Sequence, residues 1–243
     1  MRPDTWAMFA DPAIWRFFGE GLRETISISI VSIVLSFAVG LLFALGRLSR
    51  RAWIRWPATT YVEAIRALPV LLLIVYFHTK GSALFRPLFG PDFELPLFWA
   101  GVLGLSLYTS AVLAEVIRAG ILSLPGGQTE AARSLGLSYA QSMRHVILPQ
   151  GLRLMVPAMM GQLTTVIKDT SLVGTIGVFE LLRQGRTIYT QFFNPVEVLL
   201  IVATIYFVIC FTLSQLSRRL EVGRVTKEAR ARITELELRD QAA

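Results

Sequence analysis

The residues able to do chemistry in this chain are few, and most sit inside or beside long apolar runs. Gln162, Thr165 and Asp169 recur at helical spacing, with Lys168 adjacent, and make a polar strip on an apolar segment. Glu63 and Arg66 stand three apart on one helical face of another such segment. Charges among hydrocarbon are costly, so each group requires a partner or a wet cavity. Two readings stand for each set. The strip can seal a helix–helix contact by hydrogen bonds, or it can line the way of a polar solute. Glu63 can pair with Arg66, or it can line a path or pocket. Both functional readings are chemistry of binding and passage.

Other chemistries lack their residues. A phosphate-cradling P-loop needs Gly directly before Lys, because backbone N–H groups hold the phosphates while the lysine reaches their oxygens. The three lysines follow Thr79, Ile167 and Thr226. His78 and His145 lie far apart, without acidic or cysteine companions at ligand spacing. No Gly-x-Ser-x-Gly nucleophile turn occurs. The single Cys210 falls in an apolar run and allows no internal disulfide. If ATP drives work here, another chain must bind it.

The elements that position these groups are membrane spans. With 53% hydrophobic and 17% charged residues, the chain is too apolar for an ordinary soluble domain. Charge-free runs cover Thr25–Gly46, Leu95–Ala114 and Val198–Ser217, of 22, 20 and 20 residues. At about 1.5 Å per residue each reaches roughly 30 Å, the hydrocarbon thickness of a bilayer. Ala67–Thr79 and Leu154–Ile167 are shorter, and each contains a proline, Pro69 or Pro157. They become spans if the first starts near Ala58 and the second runs from Gln150 through Lys168. The expectation is an all-α membrane bundle of about five spans, at 25–46, 58–79, 95–114, 150–168 and 197–217, within a domain of residues 25–217.

Orientation follows from the basic residues outside the spans. Alternate segments hold 8 and 16 Lys or Arg, and the richer side should be cytoplasmic. That places the N-terminus outside and both the 115–149 loop and the C-terminus inside. The +7 net charge is explained by this bias and by anionic lipid heads, not by nucleic acid. Residues 1–24 carry Trp6, Phe9, Trp15, Phe17 and Phe18 among charges, which suits an external interfacial segment. Residues 218–243 are expected to form a charged cytoplasmic tail, solvated or touching lipid or an ATP-binding partner chain.

The loop between spans 3 and 4 reads as a helical elbow. Gln128–Leu135 is rich in helix formers and follows Pro125-Gly126-Gly127. Gly136 is free to take a left-handed conformation and end that helix. Ser138 and Gln141 make a capping-box pattern for a second helix ending near Pro149.

Glu130-Ala131-Ala132, Gly136 and Ile147-Leu148-Pro149 resemble the "EAA" loop of the membrane subunits of ABC importers. Further stretches are similar to permeases for polar amino acids and run in the same order over roughly residues 20 to 220. They are Gly21-Leu22 with Thr25, Arg47-Leu48-Ser49, Tyr61-Val62-Glu63 with Arg66 and Pro69, Glu115-x-x-Arg118-x-Gly120-Ile121, and Lys168-Asp169-Thr170-Ser171-Leu172 before Ile176-Gly177-Val178. The resemblance implies a permease subunit in the inner (cytoplasmic) membrane that is not itself an enzyme. On the same resemblance the chain itself would bind no cofactor, and ATP and Mg would belong to the ATPase. The implied partners are two ATPase subunits, a second permease chain (identical or sibling) and an external solute-binding protein. Glu130, Ala131, Ala132, Gly136, Leu137, Ser138 and Tyr139 would dock the ATPase. Glu63, Tyr108, Thr109, Gln162, Thr165, Lys168 and Asp169 would line the substrate path. Tyr108-Thr109-Ser110 resembles the subgroup handling glutamate and aspartate. Leu73 stands where many relatives have glutamine, which implies a reduced pocket. The competing reading is an ion-coupled secondary carrier, which would need no elbow and commonly shows paired halves. No internal repeat is visible here.

Overall fold

The computed structural model describes residues 6–241, with side chains through residue 219. It is all-helical, and no strand occurs among the described residues. A short 3-10 turn precedes α1 (Pro12–Arg47), α2 (Ala52–Ala67), α3 (Val70–Phe89) and α4 (Leu97–Leu122). The elbow contains α5 (Gly126–Ser134) and α6 (Tyr139–Ser142), and α7 (Leu148–Val173), α8 (Leu181–Phe192) and α9 (Pro195–Gln241) follow.

Small residues explain the central pairing of α1 with α4. The buried face of α1 includes Gly21, Thr25, Ser29, Ser32, Ser36, Gly40 and Ala44, returning every three or four residues. Such a stripe lets two helix backbones approach where a bilayer supplies no hydrophobic drive. A β-carbon on Gly40 would lie 2.8 Å from the Ser110 carbonyl, so that approach requires glycine. Ser36 Oγ donates to the Ser106 carbonyl at 3.1 Å, and Ser106 Oγ donates back to Ser32. Each such bond is worth about 0.6 kcal/mol in a membrane. α4 is the hub, with 61% of its apolar stretch buried, against 17% for α9 on the periphery. Leu199, Leu200, Phe207, Val208 and Phe211 therefore leave an apolar outer face on α9.

Several elements differ from the expected spans. α1 is one helix of 36 residues and carries the interfacial stretch from Pro12 onward into the span without a break. The stretch expected as one helix over 58–79 is two, α2 and α3, bent by 100°. Pro69 is the cause. Its ring excludes the residue before it from the helical region, and Leu68 has ψ 142°. Among the described residues three helices, α1, α4 and α9, are long and apolar enough to cross a bilayer singly, and the bent pair makes a fourth candidate. α7 matches α4 in length but carries Arg153, Lys168 and Asp169. The charged tail's side chains past Arg219 lie outside the described residues.

Candidate functional site

The elbow is built by local signals. Gly136 has φ +83°, the left-handed region. Its N–H donates to the Arg133 carbonyl at 3.0 Å, and the Leu137 N–H donates to the Ala132 carbonyl at 3.2 Å. This pair of bonds is the Schellman closure of α5, which needs a residue free of Cβ strain. Two residues on, Ser138 Oγ accepts from the Gln141 N–H at 3.3 Å, and Gln141 Oε1 accepts from the Ser138 N–H at 2.8 Å. The second helix does not end at Pro149. A π-helical turn, Met143–Ile147, joins α6 to α7 in one rod, with the Leu148 N–H donating to Met143. Proline clashes with the carbonyl four residues back; the wider π turn supplies room before Pro149.

Glu130, Ala131, Gly136, Ser138 and Tyr139 stand on the elbow's surface, and Leu137 is half-buried. Ala132 turns inward at 4% exposure, so its small side chain serves the elbow's own packing. Leu135, which sequence reasoning passed over, is 84% exposed at the apex beside Gly136. Behind the elbow, Ile121, Ile147 and Met155 pack with Ala44, Val62, Ala114 and Ile117 of the bundle. The Arg50 guanidinium lies 5.6 Å above the Tyr139 ring and ties the α1–α2 turn to the elbow.

An ion-pair node lies at this same end of the bundle. Arg47 is 12% exposed; its Nη1 donates to Glu115 Oε2 at 2.8 Å and its Nη2 to Glu63 Oε1 at 3.0 Å. Glu115 is also held by Arg118, one turn on. The node joins α1, α2 and α4. Glu63 thus pairs with Arg47 from another helix, and not with Arg66 as the three-residue spacing suggested. Only tertiary packing brings Arg47 to it.

The other residues expected along a substrate path lie on α4 and α7, two helices packed against each other. Thr109 is buried on α4 and Tyr108 is half-buried; the neighbouring Ser110 lies 2.6 Å from the Tyr61 hydroxyl. Gln162, Thr165 and Asp169 are half-buried on α7, and Thr165 Oγ1 donates to its own helix at Gly161. Lys168 is exposed and lines a cavity of about 420 Å³ with Ser171, Leu182 and Tyr206. Leu73 is buried at 6% exposure on α3. Among the described residues no cluster of His, Cys, Asp or Glu could hold a metal.

Glu180 was not foreseen either. It is fully buried and caps α8, accepting from the Leu182 N–H at 2.8 Å and the Arg183 N–H at 2.7 Å. The Tyr206 hydroxyl of α9 donates to the same carboxylate at 3.1 Å, while Thr25 of α1 accepts from the Leu181 N–H. One carboxylate therefore locks α8 against α9, beside its contact with α1. Glutamate is an uncommon N-cap, so capping rules pass over it; an acid directly before Leu181-Leu182 is the only local sign. Glu180→Ala should lower the stability of the purified protein by about 2 kcal/mol, since it orphans charge-assisted donors. Glu180→Gln should retain much of that stability in a thermal melt.

Residues 16–227 match the family described as binding-protein-dependent transport system inner membrane component. A glutamate transport system permease protein of Corynebacterium glutamicum is 34% identical over 235 residues, covering 95% of this chain and 85% of that one. An arginine transport system permease protein of Bacillus subtilis is 33% identical over 207 residues, covering 84% and 91%. The crystal structure of an amino acid ABC transporter superposes with a TM-score of 0.79 at 33% identity, covering 91% of this chain and 99% of that one. The matched stretch runs from the first turns of α1 past the elbow and into α9, and this chain belongs to that family, as a permease subunit of an amino acid ABC transporter whose ATPase resides in separate subunits.

Proposed function

We propose that this chain forms half of the membrane path for a polar amino acid, with glutamate and aspartate the favoured substrates. It pairs with an identical or sibling permease and sits in the inner membrane with its N-terminus outside and the elbow and tail in the cytoplasm. The elbow takes up the motion of two ATPase subunits, and an external binding protein delivers the solute. The observation that carries this reading is the elbow, whose left-handed Gly136 turn holds an exposed Leu135 at its apex. An exposed apolar side chain at the tip of a polar elbow suits a partner's groove. Its rod continues through the π turn into α7, so a push at the apex is delivered to a span that carries Lys168 and Asp169. ATP binding brings the elbows together and opens the path outward, and hydrolysis with its Mg in the partner resets it. The acidic preference is supported by Tyr108-Thr109-Ser110 and by the glutamate permease among the relatives.

Purification from native membranes in mild detergent, with mass spectrometry of what co-purifies, tests the assembly. A P-loop ATPase in equal number to the permease chains is expected. A chain that emerges alone and still transports in ATP-free vesicles under an ion gradient would favour the secondary carrier. Leu135→Asp should weaken ATPase retention on the permease at least roughly tenfold in pull-down titrations, since a charge in an apolar pocket costs more than 1.4 kcal/mol.

A further inference from the structure

We propose that the outward face of α8 is an entry subsite that holds the carboxylates of an acidic amino acid before it passes into the bundle. This rests on the amino acid permease reading above and assigns a ligand class to a region no sequence motif had marked. α8 buries Leu181, Gln184, Gly185 and Ile188. Its other face presents Arg183, Arg186, Thr187, Thr190 and Gln191 along a groove of about 510 Å³, within the usual range for a small-ligand site.

The groove lies at the end opposite the elbow. Ile188 packs with Ile14 and Phe18 of the first turns of α1, and a β-carbon on Gly21 would touch Gln184. With the elbow in the cytoplasm, that end is where a delivered solute arrives.

Its electrostatics favour an anion. Arg183 is pinned, donating from Nη1 to the Gly174 carbonyl at 2.8 Å, with its guanidinium 5.1 Å from the Phe179 ring centre. Among the described residues no acidic side chain forms an ion pair with Arg183 or Arg186. The acid next in sequence, Glu180, is buried and turned to the helix N–H groups and Tyr206. Two guanidinium groups one turn apart, with Cβ atoms roughly 5–6 Å from each other, form a pair that a dicarboxylic amino acid can bridge. Guanidinium planes bind carboxylate bidentately. The Thr187 and Thr190 hydroxyls donate to the Arg183 and Arg186 carbonyls, which leaves their oxygens as acceptors for an ammonium group. The face therefore complements both charges of the solute.

The test uses the full complex in liposomes with its loaded binding protein, and follows labelled glutamate, glutamine and arginine. Arg186→Glu is expected to cut glutamate uptake at subsaturating loaded binding protein about tenfold, the effect of about 1.4 kcal/mol. Uptake of the other two should hold or rise. Arg186→Gln, a mild change at an exposed position, should give a smaller loss of the same sign. Unchanged glutamate uptake in both variants overturns the subsite and leaves the permease reading intact. An equal loss for all carried amino acids, with weaker retention of the binding protein, also overturns it and makes this face a protein contact. A wild-type complex that carries glutamine or arginine but no glutamate overturns the acidic-substrate reading and the subsite together. If removing anionic lipid reproduces the Arg186→Glu loss in the wild type, the groove holds a lipid headgroup and the proposal falls.

Discussion

Replacing Gly136 with valine is expected to abolish ATP-driven uptake while the chain still inserts in the membrane. The backbone there has φ +83°, and a β-branched residue is strained in that region by about 1–2 kcal/mol or more. The Schellman bonds from Gly136 and Leu137 to Arg133 and Ala132 then break or open. Since α5 and α6 meet at this turn, the apex changes direction and Leu135 moves with it. No β-carbon clash is involved, because open space surrounds Gly136. The effect is conformational, which gives the experiment an internal control: Gly136→Asn, whose side chain tolerates the left-handed region, should keep substantial uptake. Loss of at least roughly tenfold in valine with partial retention in asparagine is the expected pattern, corresponding to 1.4 kcal/mol or more at the docking step. Normal uptake by Gly136→Val would remove the elbow from the mechanism.

The second large effect is expected at Arg47. Its guanidinium holds Glu115 and Glu63 at once, and its own side chain is nearly buried. Truncation to alanine leaves two carboxylates from α2 and α4 facing one another across the gap. Removing one member of a buried pair typically costs about 3–5 kcal/mol. Glu63 is more than half exposed and Arg118 still holds Glu115, so about 1–3 kcal/mol is the appropriate scale here. Arg47→Ala should lower the thermal midpoint and reduce uptake, because α1, α2 and α4 lose their tie next to the elbow. Arg47→Lys should recover only part, since an ammonium cannot fork to both acids as a guanidinium does. A double-mutant cycle with Glu63→Gln and Glu115→Gln reports the couplings. Additive effects within about 0.5 kcal/mol would show that the node holds nothing together.

What sequence could and could not reveal divides along the range of the interaction. The charge-free runs behind α1, α4 and α9 declare themselves because bilayer thickness acts on composition alone. The Ser138–Gln141 box and the Gly136 turn are equally local, and both are present. Pro69 is visible in sequence, yet a proline inside a span can kink it or end it. Pro69 breaks the helix here, and packing holds α3 on α4, with Gly104 close enough to the Ile74 backbone that any side chain there would clash. The partner of Glu63 was out of reach because Arg47 lies 16 residues away on another helix, while Arg66 offered a local candidate. Glu180 hid for a similar reason, since its value comes from Tyr206, 26 residues on, as much as from α8 itself.

The central claim is that the elbow apex seats in the ATPase. The most direct measurement places a photo-crosslinking side chain at position 135, in a Cys210→Ser background free of the one native thiol, and identifies the adduct from native membranes. The predicted result is an adduct with a P-loop-bearing subunit, whose yield changes when ATP is bound and whose formation stops in the Gly136→Val background. A transport-competent complex that yields no such adduct from position 135 would contradict the account.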